Sequence, residues 1–100
     1  MIQYHIKSMT IEKHKEVIIK YRALFEGKKI PKQELPESEH PSSPEILLSH
    51  CYWMLDQIEA FLDSGNIGKA NRWLGFIQGS LWANKLFTVE ELKEQNRSDL

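Results

Sequence analysis

Apolar residues recur at three- and four-residue steps along most of this chain, the spacing of helices that bury one face. Ile11, Val17, Ile18, Tyr21, Leu24 and Phe25 follow that step while lysines fill the other side, which predicts an amphipathic helix over residues 10–26 that Gly27 is placed to end. Residues 28–43, KKIPKQELPESEHPSS, break the pattern with Pro31, Pro36 and Pro41 and hold only two large aliphatics, Ile30 and Leu35. This segment reads as a flexible connector, longer than the usual loop of a compact domain. Ser43 before Pro44 is a helix start, because the hydroxyl accepts an orphan backbone N–H and a first-turn proline forfeits no hydrogen bond. A helix over 44–64, Gly65 as its left-handed terminator, Asn66 as the next cap and a second helix over 67–86 make an antiparallel hairpin. Thr88 and Glu91 have capping-box spacing for a short last helix, with Phe87 placed to staple onto Leu92. Ile2, Tyr4 and Ile6 alternate with polar residues but find no second strand, so residues 1–9 read as an extended arm. The prediction is one small all-α domain.

The hairpin carries more apolar surface than two helices can hide. On its first arm Leu47, Cys51, Met54, Ile58 and Phe61 form one seam and Leu48, Tyr52, Leu55 and Leu62 a second. On the other arm Ala70, Leu74, Ile77 and Leu81 form one seam and Trp73, Phe76, Ala83 and Phe87 another, leaving a narrow polar stripe at Asn71, Gln78 and Lys85. Such helices need cover on more than one side. Gly75 and Gly79, one turn apart and each costing about 1 kcal/mol relative to alanine, imply a close backbone approach or room for a bulky group. With Arg72 and Trp82 they form a shallow notch between a cation and an indole. The simplest occupant is intrachain packing against Trp53 or Tyr52. The other two are a second copy of the chain and a ligand.

Composition narrows this further. One hundred residues, 41% of them apolar, make one domain that buries about 60–65% of its unfolded-state surface, so a partner surface is expected and a homo-oligomer, dimer or higher, is the natural form. A single cysteine excludes an internal disulfide framework and points to a cytoplasmic setting; no run of about 18 apolar residues supports a membrane partner. Residues 1–33 hold eight Lys or Arg against three Glu, while residues 34–100 hold five positive and eleven negative groups, so the two parts are placed to attract each other. Without a block of consecutive bases, the basic face argues for solvation or pairing over nucleic acid, although Lys13, Lys15, Lys20 and Arg22 keep that alternative in view.

Catalytic chemistry is not legible. His50 and Cys51 are adjacent and project about 100° apart on a helix, so they do not chelate one ion, and no metal ligand set or cofactor motif is present. Cys51 lies on an apolar seam, where a thiol is an inert small hydrophobe. Asp56, Glu59 and Asp63 are expected on an outer face, and the second arm offers no carboxylate between Ile67 and Leu86 to complete a magnesium site. His50, Trp53 and Gln78 are secondary candidates for a binding surface.

The H-x-x-W-M of His50 to Met54 and the R-W-L-G-F-I-Q-G-x-L-W of Arg72 to Trp82 resemble a family of small bacteriophage and mobile-element proteins of uncharacterised function. The resemblance covers roughly residues 44–97 and implies a phage-type accessory protein without assigning site roles. The expectation is a non-enzymatic protein that binds a host or phage protein and itself, with Arg72, Trp73, Gly75, Phe76, Gly79 and Trp82 as the working face. The alternative is a sponge for a nucleotide signal, in which Trp73 or Trp82 stacks on a base and Arg72 meets a phosphate.

Overall fold

Thr10, Ser43, Asn66 and Thr88 each turn a side-chain oxygen to the backbone N–H three residues on, at 3.1–3.3 Å, and each opens a helix. In a computed structural model, which describes residues 9–97, these helices are α1 (Ile11–Gly27), α2 (Pro44–Asp63), α3 (Ile67–Ala83) and α4 (Val89–Asn96), with no strand among the described residues. The all-α fold and the hairpin are as the spacing predicts. Glu91 returns the bond to the Thr88 N–H, completing the capping box. The proposed arm lies outside the described residues except for Met9, which packs against the core.

The first three helices close in the same way. Ile30, Asn66 and Leu86 donate back to the carbonyls of Phe25, Phe61 and Leu81, each five residues earlier, while the preceding residue bonds three back. This Schellman closure needs a left-handed residue just past the helix. Gly65 supplies it with φ 81°, but Lys29 and Lys85 do so at φ 57° and 62°. Gly27, expected to end α1, is instead its last helical residue, and α3 stops at Ala83, three residues before the expected end, because Lys85 takes the left-handed turn.

α2 and α3 pack along each other through Cys51, Met54, Leu55 and Ile58 against Ala70, Leu74, Ile77 and Leu81, all buried. α1 closes this core with Val17, Ile18, Tyr21 and Phe25. The Asp56–Glu59–Asp63 row, expected on an outer face, turns to α1. Arg22 Nη2 donates to Asp56 at 2.8 Å and to Glu59 at 2.5 Å, Lys32 reaches Asp56 at 2.7 Å, and Lys15 stands 3.7 Å from Asp63. Part of the opposite charge of the two parts of the chain is thus spent within it. Partial burial works against the Asp56 charge, but Lys32 and Arg22 outweigh it and hold the carboxyl below its ordinary value. Partial burial likewise opposes the Arg22 charge, and Glu59 and Asp56 raise its pKa in spite of it.

The connector, read as flexible from its composition, lies along α2. The Gln33 N–H donates to the Ser49 carbonyl at 3.1 Å and the Leu35 N–H to His50 Nδ1 at 2.9 Å, while Ile30 packs on the core and Lys32 sits 4.8 Å from the Tyr52 ring centre. Composition missed this because the anchors are two backbone amides and one isolated aliphatic, Ile30, which carry no periodic signal.

Two outcomes are expected. Lys29→Gly relieves a left-handed lysine and raises stability by about 0.5–1 kcal/mol net of the added unfolded-state freedom, a rise of a few degrees in Tm by thermal denaturation. Asp56→Asn lowers stability at pH 7 by at most about 1 kcal/mol, since these groups are near the surface. Because the folded pKa of Asp56 is depressed, its contribution is complete above the unfolded value of 3.8 and disappears as pH falls through the folded one. Denaturation of wild type and variant should therefore converge in acid.

Candidate functional site

α3 presents three different sides. Its apolar side, Ala70, Leu74, Ile77 and Leu81, meets α2. Its polar stripe meets α1 and α4: Asn71 Oδ1 lies 2.6 Å from Nε2 of the fully buried His14, whose Nδ1 is 2.9 Å from the Thr10 carbonyl. Gln78 Nε2 donates to the Tyr21 hydroxyl at 3.0 Å and to Asn96 Oδ1 at 2.7 Å; Asn96 returns a bond at 3.0 Å, and Tyr21 donates on to Gln95. Burial pushes the Tyr21 pKa up to about 12 against the opposing Gln78 hydrogen bond, so the phenol stays a donor in this chain of bonds. Gln78, a candidate for binding, is committed to holding α4 in place.

The third side faces outward. Arg72, Gly75, Gly79 and Trp82 share it, with Phe76 on its edge. Trp82 is 56% exposed and Phe76 52%. A Cβ built on Gly75 or Gly79 would find no heavy atom within 4 Å, so neither glycine serves a close approach inside the chain. Packing of this row against Trp53 or Tyr52 is therefore not what the chain does. Tyr52 pairs with Phe25 at 5.4 Å and Trp53 with His50 and Trp73, both beyond reach of the glycines. The Arg72 guanidinium lies back over Gly68, 3.6 Å from where a Cβ would stand, and makes no ion pair among the described residues.

Beside this face the anchored connector and the hairpin enclose a groove of about 370 Å³. His50 stacks on Trp53 at 5.3 Å, Trp53 leans on Trp73 at 6.2 Å, and Phe61 meets Trp73 edge-on at 4.9 Å, with Lys69 Nζ 4.7 Å from the Phe61 ring centre. Leu47, Met54 and Phe76 extend the apolar wall. Across from it the connector contributes Leu35, Pro36 and Pro41 and the carboxylates of Glu34, Glu37 and Glu39, none of which makes an ion pair among the described residues. Three carboxylates against the Arg72 guanidinium and the Lys69 ammonium at the far edge of the wall leave the groove a net negative field over aromatic surface.

The structure thus divides the sequence-predicted set. Trp73, His50 and Trp53 line the groove, Gly75, Gly79 and Trp82 lie on the outward face, Arg72 and Phe76 stand where the two meet, and Gln78 is in the polar joint. Glu34, Glu37 and Glu39 were not expected to contribute. Their signal was present as acids interleaved with prolines, but the Gln33–Ser49 and Leu35–His50 bonds are what bring them over the aromatics. A depression of about 490 Å³ between α1 and α4 is lined by lysines and glutamates of both signs and by Phe87.

His50 Nδ1 is occupied as an acceptor, and burial pulls the ring's pKa below its usual value, with Glu34 acting the other way, so the ring is the neutral Nε2–H tautomer. Burial pushes the Cys51 thiol up to about 11, against the opposing Ser80 hydrogen bond. No group of three or more His, Cys, Asp or Glu among the described residues could hold a metal ion, and no described helix is long and apolar enough to cross a membrane. No family model, curated protein or solved structure matches the chain.

The His50 anchor is pH-dependent. The folded pKa lies below the unfolded 6.5, so the contribution is complete above 6.5 and lost as pH falls through the folded value, when a proton on Nδ1 confronts the Leu35 N–H. Hydrogen exchange should show the Leu35 amide losing protection by about five- to tenfold on acidification, as for one hydrogen bond. The Gln33 amide, bonded to the Ser49 carbonyl, should keep its protection.

Proposed function

We propose that this is a non-enzymatic, phage-type accessory protein of the cytoplasm that works by binding another protein, and that the groove is where it does so. The observation that carries the reading is the groove's composition: a wall of His50, Trp53, Trp73 and Phe76 opposite Glu34, Glu37 and Glu39. Aromatic surface under a negative field suits a peptide segment that places an apolar side chain on the rings and a lysine or arginine at the carboxylates, through hydrophobic burial and cation–π contact. The anchored connector supports the same reading, because a wall already in place reduces the ordering cost of binding.

The same field weighs against a nucleotide, whose phosphates would approach three carboxylates. Both neighbours of Trp73, Trp53 and Phe61, occupy ring surface that a base would need. Pairing of Lys15 and Arg22 with α2 carboxylates likewise weighs against a nucleic-acid surface on α1. The buried Cys51 thiol and the occupied His50 Nδ1 support binding over catalysis.

Titration of tryptophan fluorescence distinguishes these readings. The blocked peptide Arg-Leu-Phe-Lys should saturate the signal, lose affinity with added salt, and bind about tenfold more weakly to a Glu37→Lys, Glu39→Lys double variant. Tighter binding of the charge-reversed Glu-Leu-Phe-Glu, or of adenosine monophosphate, would overturn the proposal, as would no saturation by the basic peptide at millimolar concentration.

A further inference from the structure

The outward row of α3 has a symmetry that the groove does not explain. Gly68, Arg72, Gly75, Gly79 and Trp82 follow one another at four- and three-residue steps, the spacing with which one helix packs along another at a shallow angle. At about 100° per residue the last four, Arg72, Gly75, Gly79 and Trp82, are disposed evenly about the side opposite Ile77, which is itself fully buried. About that point the row reads as its own complement: Gly75 and Gly79 are equidistant from position 77, and so are Arg72 and Trp82. A two-fold interface requires a surface that complements itself in this manner.

We propose that this face packs against the same face of a second copy, with the two α3 helices antiparallel across a two-fold axis opposite Ile77. Gly75 then meets the partner's Gly79, and four glycines at the centre let the backbones come close. At each end Arg72 meets the partner's Trp82, so a guanidinium with no carboxylate partner among the described residues of its own chain covers an indole that is 56% exposed. The parallel alternative would set the two Arg72 charges against each other, which fixes the direction of pairing. The glycines fit this occupant better than an isolated chain: each weakens α3, and nothing within 4 Å of either would obstruct an alanine. The row shares Arg72 with the groove, but the inference does not depend on what the groove binds.

Sedimentation velocity of the full chain should show a dimer in the micromolar range. Gly75→Ala with Gly79→Ala should raise the Tm of dilute protein by a few degrees, since alanine is the better helix former, while weakening dimerisation about tenfold or more. Such opposite movements are not produced by a merely structural role. Trp82→Ala should also weaken the dimer. Geometry is read by oxidation: a chain carrying Gly75→Cys and Gly79→Cys should form a covalent dimer readily. Chains with either cysteine alone should do so poorly, because their residues are offset by about 6 Å along the axis. Cys51 is fully buried and does not compete. A chain that stays monomeric at about 100 μM, a Gly79→Leu variant that dimerises undiminished, or a Gly75→Cys single variant that crosslinks as well as the pair would overturn the proposal; the last would indicate parallel helices.

Discussion

The hydrogen bonds along the polar stripe of α3 decide which side of that helix is covered and which is left open. Asn71 reaches buried His14, and Gln78 joins Tyr21 and Asn96. Each of these groups would be expensive to bury alone, and in this arrangement every described buried side-chain nitrogen and oxygen has a partner. Once α1 and α4 are tied to the stripe and α2 to the apolar seam, no described helix remains for the side bearing Gly75, Gly79 and Trp82. A helix that reads in sequence as apolar over most of its circumference is thus divided into a core side, a polar joint and an open face.

The groove depends on a second joint of the same kind but weaker construction. Where the stripe uses several bonds in a buried setting, the connector is held to α2 by two backbone amides, one of them on a titratable ring. That difference places the carboxylates over the aromatics through a bond whose strength follows the protonation of His50. The ion pairs of Arg22, Lys32 and Lys15 with α2 engage three of the eight basic groups of the first third of the chain, while the groove's own wall carries Glu34, Glu37 and Glu39.

Much of the helix layout was legible because helix ends are written locally. Ser43 and Pro44, the Thr88–Glu91 box and Gly65 each act through the next few residues, and the structure uses all of them. Lys29 and Lys85 were not legible as terminators, since a lysine carries no left-handed preference and is held there by Ile30 and Leu86 bonding back to the helix. Of the candidate site residues, the grouping of Arg72, Gly75, Gly79 and Trp82 on one face followed from helical spacing alone. Their separation from Gln78, and the joining of Trp73 to His50 and Trp53, did not.

The sequence by itself determined four helix starts, the antiparallel hairpin, the apolar seams and the row of glycines between a cation and an indole, all of which depend on contacts within a few residues or on one helical period. Only the tertiary structure decided that the acidic row of α2 faces α1, that the proline-rich connector forms a wall with Glu34, Glu37 and Glu39, and that the glycine row faces outward. Those outcomes rest on which of several sides of each helix its neighbours cover. That choice is made by long-range pairing of His14 with Asn71, Tyr21 with Gln78 and Leu35 with His50, and these pairs leave no periodic trace along the chain.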